Sequence, residues 1–200
     1  MNKRIMGIGA HPDDVELGCG GALKRHINDG NLVRVIIMTH GEKGNHVPDF
    51  MEAKKSLKEL GVEDIIYCDF KDGEIIHNIG TVTTIENYIN EFHPSLIYTH
   101  SPYDRHQDHT NCSYVVSSAA RKINQILLFE SPSTLPAFEP HYFVNITDTL
   151  EYKINALKEY ASQVKKGIID LSFVRSQARV WGFKNNVKYA EAFELNHMLY

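Results

Sequence analysis

Cysteine is scarce in this 200-residue chain, and the three present, Cys19, Cys68 and Cys112, lie far apart with no C-x-x-C spacing. Their placement excludes a disulfide framework and a thiolate zinc site, and reduced cysteines in a cytoplasmic protein are the expectation. A surplus of basic residues is also lacking. Against 25 Asp and Glu stand 21 Lys and Arg, dispersed along the chain, for a formal net charge of −4, so no nucleic-acid footprint is expected. Long apolar runs are missing too: the N-terminal one is interrupted by Gly7 and Gly9 and stops at His11, too short for a signal segment or a membrane span. Repeats, low-complexity tracts and an interdomain linker are absent, so residues 1–200 read as a single domain. A chain of this length buries roughly 70% of its unfolded surface and needs no metal merely to fold.

What is present is an alternation of short β-branched runs with longer segments of 3.6-residue period, which indicates a βαβ array around a mainly parallel sheet. Strands are expected at 4–9, 32–39, 64–69 and 95–100, then at 126–130 and 142–146. Helices are expected at 16–29, 49–60, 79–92 and 109–122, and from Asp148 to Lys165 with Thr147 or Asp148 as N-cap. The stretch 176–195 shows no clear period. The fold class is therefore α/β, a Rossmann-like doubly wound sheet with helices on both faces. In the commonest strand order the first and fourth strands are neighbours at the point where the winding reverses, and ligands bind at their carboxyl ends.

Two motifs sit at those ends. His11-Pro12-Asp13-Asp14 follows the first strand, and Asp104-Arg105-His106-Gln107-Asp108-His109 follows the fourth. A catalytic zinc takes three His or carboxylate ligands and leaves a position for water, and His11, Asp14 and His109 can supply that set. Asp13 then stands free as general base. His106, three residues before His109, can donate as an imidazolium to an oxyanion, with Asp108 orienting it. Such an assembly hydrolyses an amide or ester.

Plainer readings exist. His-Pro-Asp-Asp can be a strand-to-helix turn in which an Asp caps the next helix. Gly7-x-Gly9 hints at a dinucleotide fingerprint, but Pro12 takes the place of its third glycine. Gly18, Gly20 and Gly21 read as close-packing positions. His26, His46, His77, His93, His141 and His197 lack partners at ligand spacing and read as surface or satisfied core histidines. Glu42 on the second rim loop, and Tyr103 and Arg105 beside the second motif, are candidate substrate contacts. Loop 41–49 and the loop carrying Pro132, Pro136 and Pro140 are expected to shape substrate choice. A metal-dependent phosphoesterase and a non-catalytic binding module are the competing functional classes; the first expects a second metal with bridging carboxylates.

At these motifs the chain resembles the LmbE-like, or PIG-L, family of zinc-dependent de-N-acetylases, which includes the GlcNAc-phosphatidylinositol deacetylase and the bacillithiol- and mycothiol-pathway deacetylases. The residues that carry the likeness are Ala10-His11-Pro12-Asp13-Asp14-x-Glu16-x-Gly18-x-Gly20-Gly21 and the second motif, where Gln107 replaces a more usual proline. Thr39-x-Gly41-Glu42-x-Gly44, Ser162-Gln163 and Tyr189-Ala190-Glu191-Ala192-Phe193 add to it. The resemblance implies one Zn2+ on His11, Asp14 and His109, with Fe2+ as the alternative metal. It implies Asp13 as base, His106 with Asp108 as the oxyanion pair, and an N-acetylated amino-sugar conjugate as the small-molecule substrate. It also implies a homo-oligomer, a trimer or hexamer.

Overall fold

The computed structural model describes residues 2–42 and 50–199. Five parallel strands, β1 (Arg4–Gly9), β2 (Leu32–Thr39), β3 (Asp64–Phe70), β4 (Leu96–His100) and β5 (Gln125–Phe129), form most of one sheet. Two antiparallel strands, β6 (Tyr142–Asn145) and β7 (Ala190–Met198), complete it in the order β3-β2-β1-β4-β5-β7-β6. The doubly wound expectation holds: β1 and β4 are neighbours, with Gly7 in register with Val35 of β2 on one side and Tyr98 of β4 on the other.

Helices α1 (Asp14–Asn28), α2 (Phe50–Leu60), α3 (Ile79–Phe92), α4 (Gln107–Ala119), α5 (Leu150–Lys158), α6 (Ala161–Lys165) and α7 (Leu171–Lys184) cover the sheet. Successive strand residues serve opposite cores. Ile5, Val35 and Ile37 join the apolar cluster that includes residues of α1, α2, α5 and α7, while Met6, Ile8, Ile36 and Met38 join the one under α3 and α4. Burial on both faces is why these strands read as continuous apolar runs rather than alternating ones. No helix is long and apolar enough to cross a membrane among the described residues.

The sequence reading departs from the structure mainly in the C-terminal third. The helix expected over 148–165 is interrupted at Tyr160 (φ −80°, ψ 56°), a fully buried residue whose hydroxyl donates to Glu16 Oε1 at 2.9 Å. Its N-cap position is Thr149, whose hydroxyl does not cap but donates to the Gly21 carbonyl. Residues 176–195 hold most of α7 and the start of β7.

Helix α1 is itself broken, at Cys19 (φ −144°, ψ 17°). The break frees backbone groups that must find other partners in the interior. Glu191 of β7 accepts the N–H groups of Gly21 (2.9 Å) and Ala22 (2.7 Å), and Lys153 of α5 donates to the Leu17 carbonyl (2.6 Å) and pairs with Glu191 (2.7 Å). The same stretch packs too closely for side chains at two glycines. A Cβ on Gly18 would sit 2.2 Å from the Phe129 ring and one on Gly21 2.8 Å from Ile146, whereas Gly20 has ordinary room.

Candidate metal centre

Strand β1 delivers His11 to Asp14 to the carboxyl rim, and β4 delivers His100 beside them. Asp14 Oδ2 accepts the His11 N–H at 2.7 Å, which closes the turn. Asp13 occupies the N-cap position of α1, yet its side chain makes no capping bond, and its backbone is left-handed at φ 89°. A non-glycine residue held there costs of order 1–2 kcal/mol, a strain that functional sites commonly carry. The turn is therefore real, but Asp13 is not spent on capping it.

His11 and His109 each approach Asp14, on different oxygens, and the donor groups close enough to hold one ion are His11 with His106 and His109, Asp14 with His100 and His109, and His11 with Asp72 and Asp108. His11 Nδ1 lies 3.3 Å from Asp14 Oδ2, and His109 Nε2 lies 3.3 Å from Asp14 Oδ1. The other nitrogen of each ring meets a carboxylate: His11 Nε2 is 3.2 Å from both Asp108 and Asp72, and His109 Nδ1 is 3.2 Å from Asp104. Carboxylates behind the ring nitrogens fix the tautomer and orientation of metal-binding histidines. His106 completes a ring cluster, with centroids 4.7 Å from His11 and 4.6 Å from His109.

Electrostatics shows what this donor set requires. Burial opposes charge on His11, but Asp108, Asp14 and Asp72 outweigh it and raise its pKa to about 12. His109, likewise desolvated, is raised to about 9 by Asp14 and Asp104. Burial works against the Asp14 anion too, and His109 with His100 nevertheless holds its carboxyl well below the usual range. No lysine or arginine pairs with Asp14 or Asp108 among the described residues, so protons on imidazoles carry the compensation that a divalent cation would provide. The residues thus fit a metal in charge and in donor type. Asp13 behaves oppositely: burial, Asp14 and Glu16 push its carboxyl well above the ordinary value.

Two roles differ from the expectation. The Asp108 carboxylate faces His11, and it accepts the backbone N–H groups of Gly73 and Ile75 rather than orienting His106. It is the Asp108 N–H that reaches His106, donating to Nδ1 at 3.2 Å, which assigns the remaining proton to Nε2. Burial and the neighbouring His11 and His109 lower the His106 pKa, and with Nδ1 accepting from the Asp108 N–H the ring offers its Nε2–H as donor.

A cavity of about 850 Å³ opens on the cluster, lined by His11, Asp13, Asp14, Asp72, His106 and His109 and, farther along, by residues of α6 and the turn after it. The three expected substrate contacts do not line it. Glu42 accepts the Asp72 N–H, Tyr103 is about half exposed, and Arg105 donates to the Ser133 carbonyl. Gly41, Pro132, Ser133 and Gln163 do line it, whereas Pro136, Pro140 and the rest of that loop do not. Residues 43–49, His46 included, lie outside the described residues.

His100, Asp72 and Asp104 were not expected in the cluster. His100 is fully buried, stacks on His109 (4.1 Å, 14°) and places Nε2 3.1 Å from Asp14. Burial and His109 hold its pKa down to about 4. Its signal was positional, since it ends the fourth strand at the switch point. Asp72 follows β3 in an Asp-Gly turn, and Asp104 lies inside the second motif. The remaining histidines include His26, bonded to the Tyr98 hydroxyl, and His77, bonded to Ser118.

The family described as PIG-L, GlcNAc-PI de-N-acetylase, matches residues 6–120, which hold the whole cluster. The chain belongs to the PIG-L family. Among the PIG-L chain's relatives, the Escherichia coli protein described as uncharacterized deacetylase YaiS is 36% identical over 174 residues, 80% of this chain and 93% of the relative. The diacetylchitobiose deacetylase of Thermococcus kodakarensis is 25% identical over 94% of this chain and 81% of its own. The PIG-L fold matches the conserved protein TT1542 of Thermus thermophilus with a TM-score of 0.88 at 24% identity, over 98% of this chain and 95% of that one. It also matches GalB, the 4-carboxy-2-hydroxymuconate hydratase of Pseudomonas putida, with 0.87 at 20% identity over 99% and 98%. The fold alone therefore does not name the reaction.

Proposed function

We propose that this protein hydrolyses the acetamide of an N-acetylated amino sugar, giving acetate and a free amine, with one zinc ion on His11, Asp14 and His109. The observation that carries the reading is the approach of His11 Nδ1 and of His109 Nε2 to the Asp14 carboxylate, 3.3 Å each, at a cavity that a second carboxylate, free of capping bonds, also lines. The family description and the deacetylase relatives supply the substrate class. A bound divalent ion supplies Lewis acidity and lowers the pKa of water towards neutrality; Fe2+ suits the same ligands.

The protein's own groups do the rest. Asp13, free of capping bonds and lining the cavity, takes a proton from water as the oxygen attacks the acetyl carbon. The Nε2–H of His106 donates to the carbonyl oxygen as charge gathers there. When the carbon–nitrogen bond breaks, Asp13 returns the proton to the amine, so one water is consumed and the carboxylate is regenerated. Asp108, Asp72 and Asp104 hold the ligand rings.

The test is release of free amine from N-acetylglucosamine conjugates by the zinc-loaded protein, run beside phosphate release from the corresponding phosphate esters. Amine release that disappears on chelation and returns with zinc is expected. Phosphate release without amine would replace this reading with the phosphoesterase one.

A further inference from the structure

The metal centre and the proton transfers leave His100 without a task. It is the last residue of β4, in register with Phe129 of β5, and it is fully buried. Its ring lies between two others, stacked on His109 at 4.1 Å and 14° and tilted against Phe129 at 4.7 Å. A histidine enclosed where an apolar residue would pack has two polar nitrogens to account for. Nδ1 has no hydrogen-bond partner among the described residues. Nε2 has two neighbours, Asp14 Oδ2 at 3.1 Å and the Ala10 N–H at 3.2 Å.

Ligation is one use for such a ring, since His100, Asp14 and His109 are close enough to share an ion. The stacking speaks against it. In-plane lone pairs of two nearly parallel rings run side by side, and a metal about 2.0–2.1 Å from one nitrogen is out of line with the other. The ring proton then decides what Nε2 does. With Nε2 bare, the ring accepts from Ala10, but its lone pair opposes a carboxylate and a buried Nδ1–H is stranded. With the proton on Nε2, the ring donates to the Asp14 carboxylate at the expense of the Ala10 bond, and a hydrogen bond to an ionised acceptor is roughly twice as strong as a neutral one. The two Asp14 oxygens are also unlike. Oδ2 already accepts the His11 N–H at 2.7 Å, whereas Oδ1 faces His109 Nε2 at 3.3 Å.

We propose that His100 is a positioning residue for Asp14: its Nε2–H donates to Oδ2 and, together with the His11 N–H, fixes the rotation of the carboxylate with Oδ1 on the side of His109. This rests on Asp14 being a metal ligand and is independent of the substrate. A carboxylate already held by two donors loses less freedom when it takes an ion, so removing one donor weakens metal binding.

Two substitutions separate the donor from the ring. His100→Phe keeps a flat ring between His109 and Phe129 and removes the donor, while His100→Gln removes the ring and keeps an N–H. Zinc affinity, measured by chelator competition, is expected to fall about 10–100-fold in His100→Phe and to stay near the wild-type value in His100→Gln. The reverse order or equal losses return His100 to packing or ligation and overturn the proposal, as does wild-type affinity in both. Long-range proton–nitrogen NMR on isotope-labelled wild type reads the ring proton and needs no variant to fold: a protonated Nε2 on His100 upholds the donor, and a bare one overturns it. Asp14→Ala separates this proposal from the metal centre itself. Zinc retained there removes both, whereas zinc lost there, beside wild-type affinity in His100→Phe, overturns the role of His100 alone.

Discussion

The Asp108 carboxylate lies 3.2 Å from His11 Nε2 and at the same time accepts the backbone N–H groups of Gly73 and Ile75. From the first turn of α4 it therefore ties the proposed metal ligand His11 to the loop that follows β3. Replacing Asp108 by Ala should weaken zinc affinity by about 10–100-fold, measured by competition with a chromogenic chelator. A variant that binds zinc normally and loses only kcat would return Asp108 to the role of orienting His106.

Asp13 and His109 should separate cleanly. In Asp13→Ala the zinc content stays near one per chain while kcat for amine release falls by about 10² to 10⁴. In His109→Ala the zinc itself is lost. Metal analysis of both purified variants beside the amine assay decides the matter, and a zinc-free Asp13→Ala protein would move that residue into the ligand set.

The buried Lys153–Glu191 pair (2.7 Å) fills the break in α1. Glu191→Ala leaves two buried N–H donors bare and strands the Lys153 ammonium in the interior. A loss of about 3–5 kcal/mol is expected, read from urea unfolding as a lower midpoint with an unchanged slope. A midpoint within error of wild type would show that solvent can satisfy the break.

His26 gives a pH signature away from the metal. Burial, with Lys3 and Arg25 adding to it and Asp29 opposing, holds its pKa down from 6.5 to about 4, and its Nε2 meets the Tyr98 hydroxyl. The unfolded chain thus binds a proton between pH 6.5 and 4 that the folded one refuses. Its contribution to stability is present above pH 6.5 and is lost as pH falls towards 4, by up to about 3 kcal/mol. The difference in unfolding free energy between wild type and His26→Gln should shrink over that window; a difference independent of pH would refute the assignment.

Much of this architecture was legible in the chain because the relevant signals are local. β1 and β2 begin and end where their apolar runs do, and the switch-point argument placed His11, Asp14 and His109 together before any distance was known. The misread parts depend on contacts between distant segments. Tyr160 sits in a helical pattern, and only its buried bond to Glu16 shows why the helix turns there. Residues 176–195 change from helix to strand at a point that no period marks, since β7 is defined by pairing with β5 and β6. The partners of Asp108 depend on the loop after β3 folding over α4, so sequence adjacency pointed to His106 while space chose His11. Tyr103 and Arg105 were read from proximity to a motif, and chain proximity does not determine which side of a loop faces a cavity.

Every proposed zinc-binding side chain precedes Thr110 in the chain, whereas the carboxylate that closes the gap in α1 arrives only with β7. A polypeptide halted before Ala190 would carry the full set of ligating atoms on a helix whose second half has no acceptor for its first donors. The order of the helix that carries Asp14 thus draws on a strand about eighty residues further along the chain than the last of the proposed ligands.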